Sequence, residues 1–282
     1  MSPPPLGTLG IIAGGGELPR AIAQSASAQG RKVHVLAIKG SADDAWPSDY
    51  PHAWIGIGEW GHAVKYLKQS GVTDVLLVGR VDRPNWSEIK VDARGLLMLP
   101  AVIAAARKGD DALLKVASEF YGKEGFRVLT AAESAPELVM GDGALGKLRP
   151  DADQMEDIRR AFAIIRAMGA LDVGQAAIIC DGLPLCVEAA EGTDAMIARV
   201  ASLRANLRGT REKKRGVLAK ALKPMQDRKT DLPVIGVGTV KNAHAVHLAG
   251  IALEAGASLI VDKGAVAAEA DRLGLFVVGI LP

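Results

Sequence analysis

Residues 223–233, KPMQDRKTDLP, place three cations, two aspartates, a glutamine and two prolines in eleven positions, directly before the apolar run VIGVG. Lys223 precedes a proline, which biases it away from helix, and Leu232-Pro233 closes the stretch. A loop of this kind, entering a buried strand, aims one or two carboxylates at a cleft while its neighbours hold phosphate. Lysine and arginine supply charge for a diphosphate. Aspartate binds Mg²⁺ or orients water. A solvated loop with local ion pairs would use the same residues, and both readings stand on these residues alone. A second cluster, VEAAEGTDAM (187–196), sets Glu188, Glu191 and Asp194 around Gly192-Thr193. Three acids near one turn suit a hard cation. Equally, Thr193 or Asp194 suits an N-cap and Glu191 a helix N-terminus. Lys220 lies on the apparent strand leading into the charged loop.

The third constellation is AGGGELP, residues 13–19, between a strand and a helix. Glycines let backbone approach a phosphate, and a helix N-terminus offers N–H groups. Gly14, Gly15, Gly16 and Leu18 are therefore candidate ligand contacts, against the alternative that the glycines only make a tight turn. The dinucleotide fingerprint fits poorly. Its third small position falls on Pro19, and Lys39 stands where an acid would meet the ribose. No Walker sequence is present. The basic run REKKR (211–215), with Arg204 and Arg208 upstream, reads as a solvated face or as attraction to an anionic membrane surface. His34, His52, His62, His244 and His247 are scattered and form no metal-binding motif. Cys180 and Cys186 lack zinc spacing and read as small buried residues.

These residues need elements to hold them. With 282 residues, 49% of them hydrophobic and only 4% aromatic, the chain must build its core from Ala, Val, Leu and Ile, as α/β proteins do. A net charge of +2, without RNA-binding or zinc-finger motifs, gives no support to nucleic-acid binding. The N-terminus lacks the pattern of a signal peptide, and the longest apolar runs are too short to span a bilayer. A cytoplasmic location is expected.

Strands are predicted at 8–13, 32–40, 73–81 and 125–131. Helices follow the glycine turn, end at Gly71, and fill most of 96–120. Almost unbroken apolar strands alternating with helices predict a parallel sheet covered on both faces. Gly, Pro and small residues dominate 132–150, where periodicity fades. The organisation expected is a Rossmann-like N-terminal domain (1–133), a linker (134–149) and a mixed α/β C-terminal catalytic domain (150–282). In that second domain, 150–171 predicts an amphipathic helix with an acidic first turn. QAAIICDGLPLCVEAAEG predicts a hairpin turning at Asp181-Gly182. A helix near 194–207 and strands in GVLAKAL and PVIGVGT follow. NAHAVHLAGIALEAG (242–256) reads as helical, and SLIVD and LFVVGIL read as final strands.

Taken together, IIAGGGELP, GDDALL (109–114), LDVGQAAII (171–179), EAAEGTDAM, KPMQDRKTDLPVIG and DRLGLFVVG resemble the LpxI family, in the family's order and over nearly the whole chain. Met225, Lys229 and Thr230 depart from the family's usual residues without removing a carboxylate. The resemblance implies a two-domain, Mg²⁺-dependent enzyme that cleaves the diphosphate of UDP-2,3-diacylglucosamine between its domains, releasing 2,3-diacylglucosamine 1-phosphate and UMP in lipid A biosynthesis. Asp227 matches the family's key aspartate. It would bind Mg²⁺ or position the attacking water, with Glu191 and Asp194 completing the metal shell. Thr193, Lys220, Lys223 and Gln226 would hold phosphate oxygens or order the loop. Expected partners are the lipid nucleotide, transient peripheral contact with the inner face of the inner membrane, and a second copy in a homodimer. A non-catalytic UDP-sugar or lipid-binding protein of the same architecture is the alternative, and an NAD-linked oxidoreductase a third.

Overall fold

Apolar runs bounded by glycine become the strands of two separate sheets in a computed structural model, which describes residues 7–43, 45–81, 89–107, 109–223 and 232–281. The chain divides into two units, Met1–Pro136 and Glu137–Pro282.

The first unit contains β1 (Leu9–Ala13), α1 (Leu18–Ala28), β2 (Val33–Ile38), β3 (His52–Ile55), α2 (Trp60–Gln69), β4 (Asp74–Val78), α3 (Ala93–Ala106), α4 (Asp110–Lys123), β5 (Arg127–Val128) and α5 (Ala131–Ser134). Its five strands pair in the order β3-β2-β1-β4-β5, all parallel. This is the doubly wound order, whose direction switches between β1 and β4. Every residue of β1 is buried, as a central parallel strand requires. Strand β3 is absent from the sequence reading, because HAWI is four residues without alternation. At the amino edge of the sheet, the buried Asp74 carboxylate accepts from both Arg31 and Arg127. Burial pulls the Arg31 guanidinium below its usual range, and the Asp74 charge opposes that shift.

The second unit contains β6 (Gly143–Ala144), α6 (Ala152–Gly169), β7 (Ala176–Cys180), β8 (Leu183–Val187), α7 (Gly192–Val200), β9 (Val217–Lys220), β10 (Val234–Ile235), α8 (Val237–Ala245), β11 (Gly250–Glu254), β12 (Leu259–Ile260), α9 (Lys263–Leu273) and β13 (Phe276–Ile280). A six-stranded sheet runs β6-β13-β11-β9-β7-β8, and β10 pairs with β12 separately. Strands β9, β11 and β13 are parallel, while β6 and β7 run against their neighbours. Thus Gly143–Ala144, within the segment read as a linker, forms an edge strand of this sheet.

Alternation along the strands separates two cores. Ile178, Leu218, Ile251 and Val277 face one side with Met196, Val240 and Val266. Ala177, Ile179, Ala219 and Val278 face the other with Ile158, Phe162 and Ile165 of α6. The hairpin turns at Asp181 (φ 50°) and Gly182 (φ 76°) as expected, since a two-residue turn of this hand needs positive φ at both positions. Asp157 of α6 accepts from both turn amides, at 3.0 and 2.7 Å.

The expectation of a helix over 242–256 is corrected. Helix α8 ends at Ala245, His247 adopts φ 60°, and Gly250–Glu254 forms β11 inside the sheet. An alanine-rich run buried on both faces has no period to distinguish it from a buried helix. Gly250 is required there: a Cβ would lie 2.4 Å from the Phe276 ring on the neighbouring strand. Helix α7 stops at Val200 rather than 207, and PVIGVGT contributes two strand residues. Helix α9 carries KGAVAAEADRL, between the two final predicted strands.

Candidate active site

The carboxyl ends of β9 and β11 lie side by side, with Leu253 in register with Lys220. Because β7 is antiparallel to β9 and β8 to β7, the start of β7 and the end of β8 reach the same edge. Gln175, Glu188, Lys220 and Glu254 therefore meet there, although 79 positions of sequence separate the first and last. The charged segment starting at Lys223 leaves the sheet from this edge. In open α/β sheets the carboxyl ends of strands are where ligands bind.

Lys220 is 5% exposed. Its Nζ donates to Thr193 Oγ1 at 2.9 Å and to the Val234 carbonyl at 3.2 Å. Thr193 in turn donates its single hydroxyl proton to Glu188 Oε1, and Glu188 Oε2 accepts from the Gln175 amide at 3.0 Å. A hydroxyl that gives its proton to a carboxylate keeps its lone pairs for an ammonium. The result is an oriented chain from buried carboxylate through hydroxyl to buried ammonium. Its far end grips Val234, where the chain returns from the charged segment. Lys220 thus ties the entry strand of that segment to its exit.

Two more bonds fix the near side. The Leu222 amide donates to the buried Glu254 at 3.2 Å, and Lys223 Nζ lies 2.7 Å from Asp172 Oδ1. Glu254, Gln175 and Asp172 are site residues that the sequence did not single out, whereas Glu188 stood in the acidic cluster with Glu191 and Asp194. Glu254 was hidden by the helical reading of its strand.

Glu191 pairs with Arg199 at 2.6 Å, and Asp194 accepts from Asn242 at 2.9 Å. Among the described residues, no three His, Cys, Asp or Glu side chains converge as a cation site. Gln226 and Asp227 lie outside the described residues. Burial disfavours both thiolates, pushing the Cys180 thiol up to about 11 and raising Cys186 as well. Of the basic run, Arg208, Lys214 and Arg215 donate to backbone carbonyls, and Arg215 also pairs with Asp181.

In the first unit, Gly14, Gly15 and Gly16 follow β1 at the switch between β1 and β4. The Gly14 amide donates to Val78 O at 2.9 Å and the Gly15 amide to Arg80 O at 2.8 Å. A Cβ on Gly14 would lie 2.4 Å from Arg80 O, and one on Gly15 would lie 2.5 Å from Ser41 O. These two glycines are explained by backbone packing. Gly16 differs: it is exposed at φ 96°, with open space where a side chain would stand. Leu18 is half-buried and begins α1, followed by Pro19.

Two family models match the chain, the LpxI N-terminal domain over residues 8–138 and the LpxI C-terminal domain over 141–278. A curated relative from Caulobacter vibrioides (strain ATCC 19089 / CIP 103742 / CB 15), named UDP-2,3-diacylglucosamine pyrophosphatase LpxI, is 48% identical over 274 residues. That alignment covers 97% of this chain and 98% of the relative. A solved CobK precorrin-6A reductase aligns over 98% of this chain and 89% of its own at 12% identity. Its TM-score of 0.29 is too weak to carry an argument. On the two matched domains and the near-complete alignment, the chain belongs to the LpxI family.

Proposed function

We propose that this protein hydrolyses the diphosphate of UDP-2,3-diacylglucosamine, releasing 2,3-diacylglucosamine 1-phosphate and UMP, as a Mg²⁺-dependent step of lipid A biosynthesis at the inner face of the inner membrane. The name of the 48%-identical relative supports the reaction. The tie from Lys220 to Thr193 and Val234, at the carboxyl edge of the second sheet, is the observation that favours placing it on segment 223–233.

Hydrolysis of a diphosphate needs a positioned water, neutralised charge on the phosphate oxygens and a stabilised leaving phosphate. Asp227 positions the water. Lys220 and Lys223, held at the root of the segment, supply positive charge, and Gln226 donates to phosphate. Thr193 orients Lys220. Gly16, with Leu18 beside it, offers open backbone to the nucleotide. Mg²⁺ is held in such enzymes by one or two carboxylates together with substrate phosphates, so a full protein cage is unnecessary. Asp227 fits that need, whereas Glu191 and Asp194 are engaged by Arg199 and Asn242.

The test is UMP release from UDP-2,3-diacylglucosamine by the wild type, Asp227→Ala and Asp227→Asn, with Mg²⁺ and with EDTA. Loss of turnover in folded variants and in EDTA is expected. Wild-type turnover in Asp227→Ala would remove that carboxylate from the mechanism. Tight substrate binding with no hydrolysis by the wild type would establish the binding-protein alternative.

A further inference from the structure

Helix α3, ARGLLMLPAVIAAA, carries its apolar stripe on the outside. Ala93, Leu96, Leu97, Pro100, Ala101 and Ala104 follow the i, i+3, i+4, i+7, i+8, i+11 spacing of a helix face, and all six are exposed. Such a stripe ordinarily faces a core. Here Leu96 is 60% and Leu97 80% exposed, whereas the helix buries only Gly95 and Ala105. Gly95 fixes this orientation, because a Cβ there would lie 2.0 Å from the Gly58 carbonyl and the first turn is pressed onto the connection between β3 and α2. Ile57 and Val91 extend the patch, joined by the bridge between Gly58 and Val91. The large hydrophobics exposed among the described residues of the first unit all lie at this carboxyl edge of the sheet or on α3.

The rim is cationic. Lys90 and Arg94 stand exposed at the start of the helix and Arg107 at its end. Three acids described nearby are already engaged. Asp92 accepts from the Gly95 and His62 amides, Glu59 accepts from the Gly56 amide and Lys39, and Glu124 pairs with Lys68 and Arg94. An apolar face with basic ends is the signature of a helix lying in a lipid interface. Its 14 residues, about 21 Å of helix, fall short of a bilayer's hydrocarbon core of about 30 Å. Among the described residues no helix is long and apolar enough to cross a membrane.

We infer that the outer face of α3 docks the protein onto an anionic lipid bilayer surface, with Leu96 and Leu97 entering the acyl boundary and Lys90 and Arg107 meeting lipid phosphates. The inference deepens the membrane location included in the proposed function. It names the first unit as the contact, in place of the basic run 211–215, where Lys214 and Arg215, two of the four cations, serve backbone carbonyls.

The experiment is sedimentation of the full-length protein with phosphatidylglycerol–phosphatidylcholine vesicles and with phosphatidylcholine alone, without substrate, so that the readout is independent of hydrolysis. Wild type should partition onto the anionic vesicles. Leu96→Ser with Leu97→Ser should lower that partition by at least about tenfold, since burying each leucine contributes more than a factor of ten. Lys90→Glu with Arg107→Glu should abolish the preference for anionic lipid. Both variants should keep the wild-type melting temperature and, if the proposed reaction holds, wild-type turnover on detergent-dispersed substrate. Unchanged partition of the leucine variant overturns the inference, as does absence of wild-type binding to any vesicle. A drop in melting temperature, or conversion of a dimer to monomer by the leucine variant, would show the face covered by protein and overturn it too. Loss of turnover with vesicle binding intact would strike the reaction and leave the docking surface standing.

Discussion

Replacing Lys220 by methionine removes an ammonium that is 5% exposed while keeping most of the side-chain volume. Two of its bonds are lost, to Thr193 and to the Val234 carbonyl. The Glu188 carboxylate, joined to it through Thr193, loses its nearby cation. Hydrogen bonds to charged groups contribute about 1.5–3 kcal/mol each, and breaking a buried charge pairing costs about 3–5 kcal/mol. These overlap, because the same ammonium serves both, so a loss of about 3 kcal/mol is expected. For a unit of this size that lowers the melting transition by roughly 6–12 °C. Glu188→Gln, alone and combined with Lys220→Met, closes a double-mutant cycle measured by urea unfolding. If carboxylate, hydroxyl and ammonium act as one network, the double variant should fall short of the summed losses by about 1–2 kcal/mol. Turnover should fall about 100-fold, the scale of a misplacement of about 1 Å in a reacting group. Additivity within about 0.5 kcal/mol would refute the network. Turnover near wild type in a destabilised Lys220→Met would refute its role in placing the segment.

Two further outcomes follow from the cores. Asp74→Asn keeps the shape of the carboxylate but leaves the buried Arg31 without its counter-charge, so the first unit should lose about 3 kcal/mol in denaturant unfolding. Cys180 holds its proton up to about pH 11 in the folded state, against 9.0 for a free thiol. It should resist alkylation at pH 8 until urea is added. Between pH 9 and 11 the unfolded chain binds fewer protons, so this thiol's contribution to stability should decline as pH rises.

What the sequence disclosed tracked the strength of local rules. Leu9–Ala13, the glycine turn and α1 were legible because a doubly covered parallel strand is a continuous apolar run and glycine marks its end. Asp181-Gly182 was legible because few residue pairs accept positive φ twice. Helix α6 was legible from its acidic first turn, and Asp151 and Gln154 do cap it reciprocally. Strand β11 was not, because a short run buried on both faces carries no period. The chemistry was legible as residue types but not as geometry. Thr193 and Lys220 lie 27 positions apart and meet only because antiparallel β7 and β8 bring the end of the hairpin to the end of β9. No spacing in the chain announces that meeting. Nor could composition show that two of the three glycines in the turn spend their amides on Val78 and Arg80.

The bond from Lys220 to Val234 has a consequence for how this chain tolerates change. It brings Lys220, before residues 224–231, and Val234, after them, to one point, so a change on either flank is felt at the other.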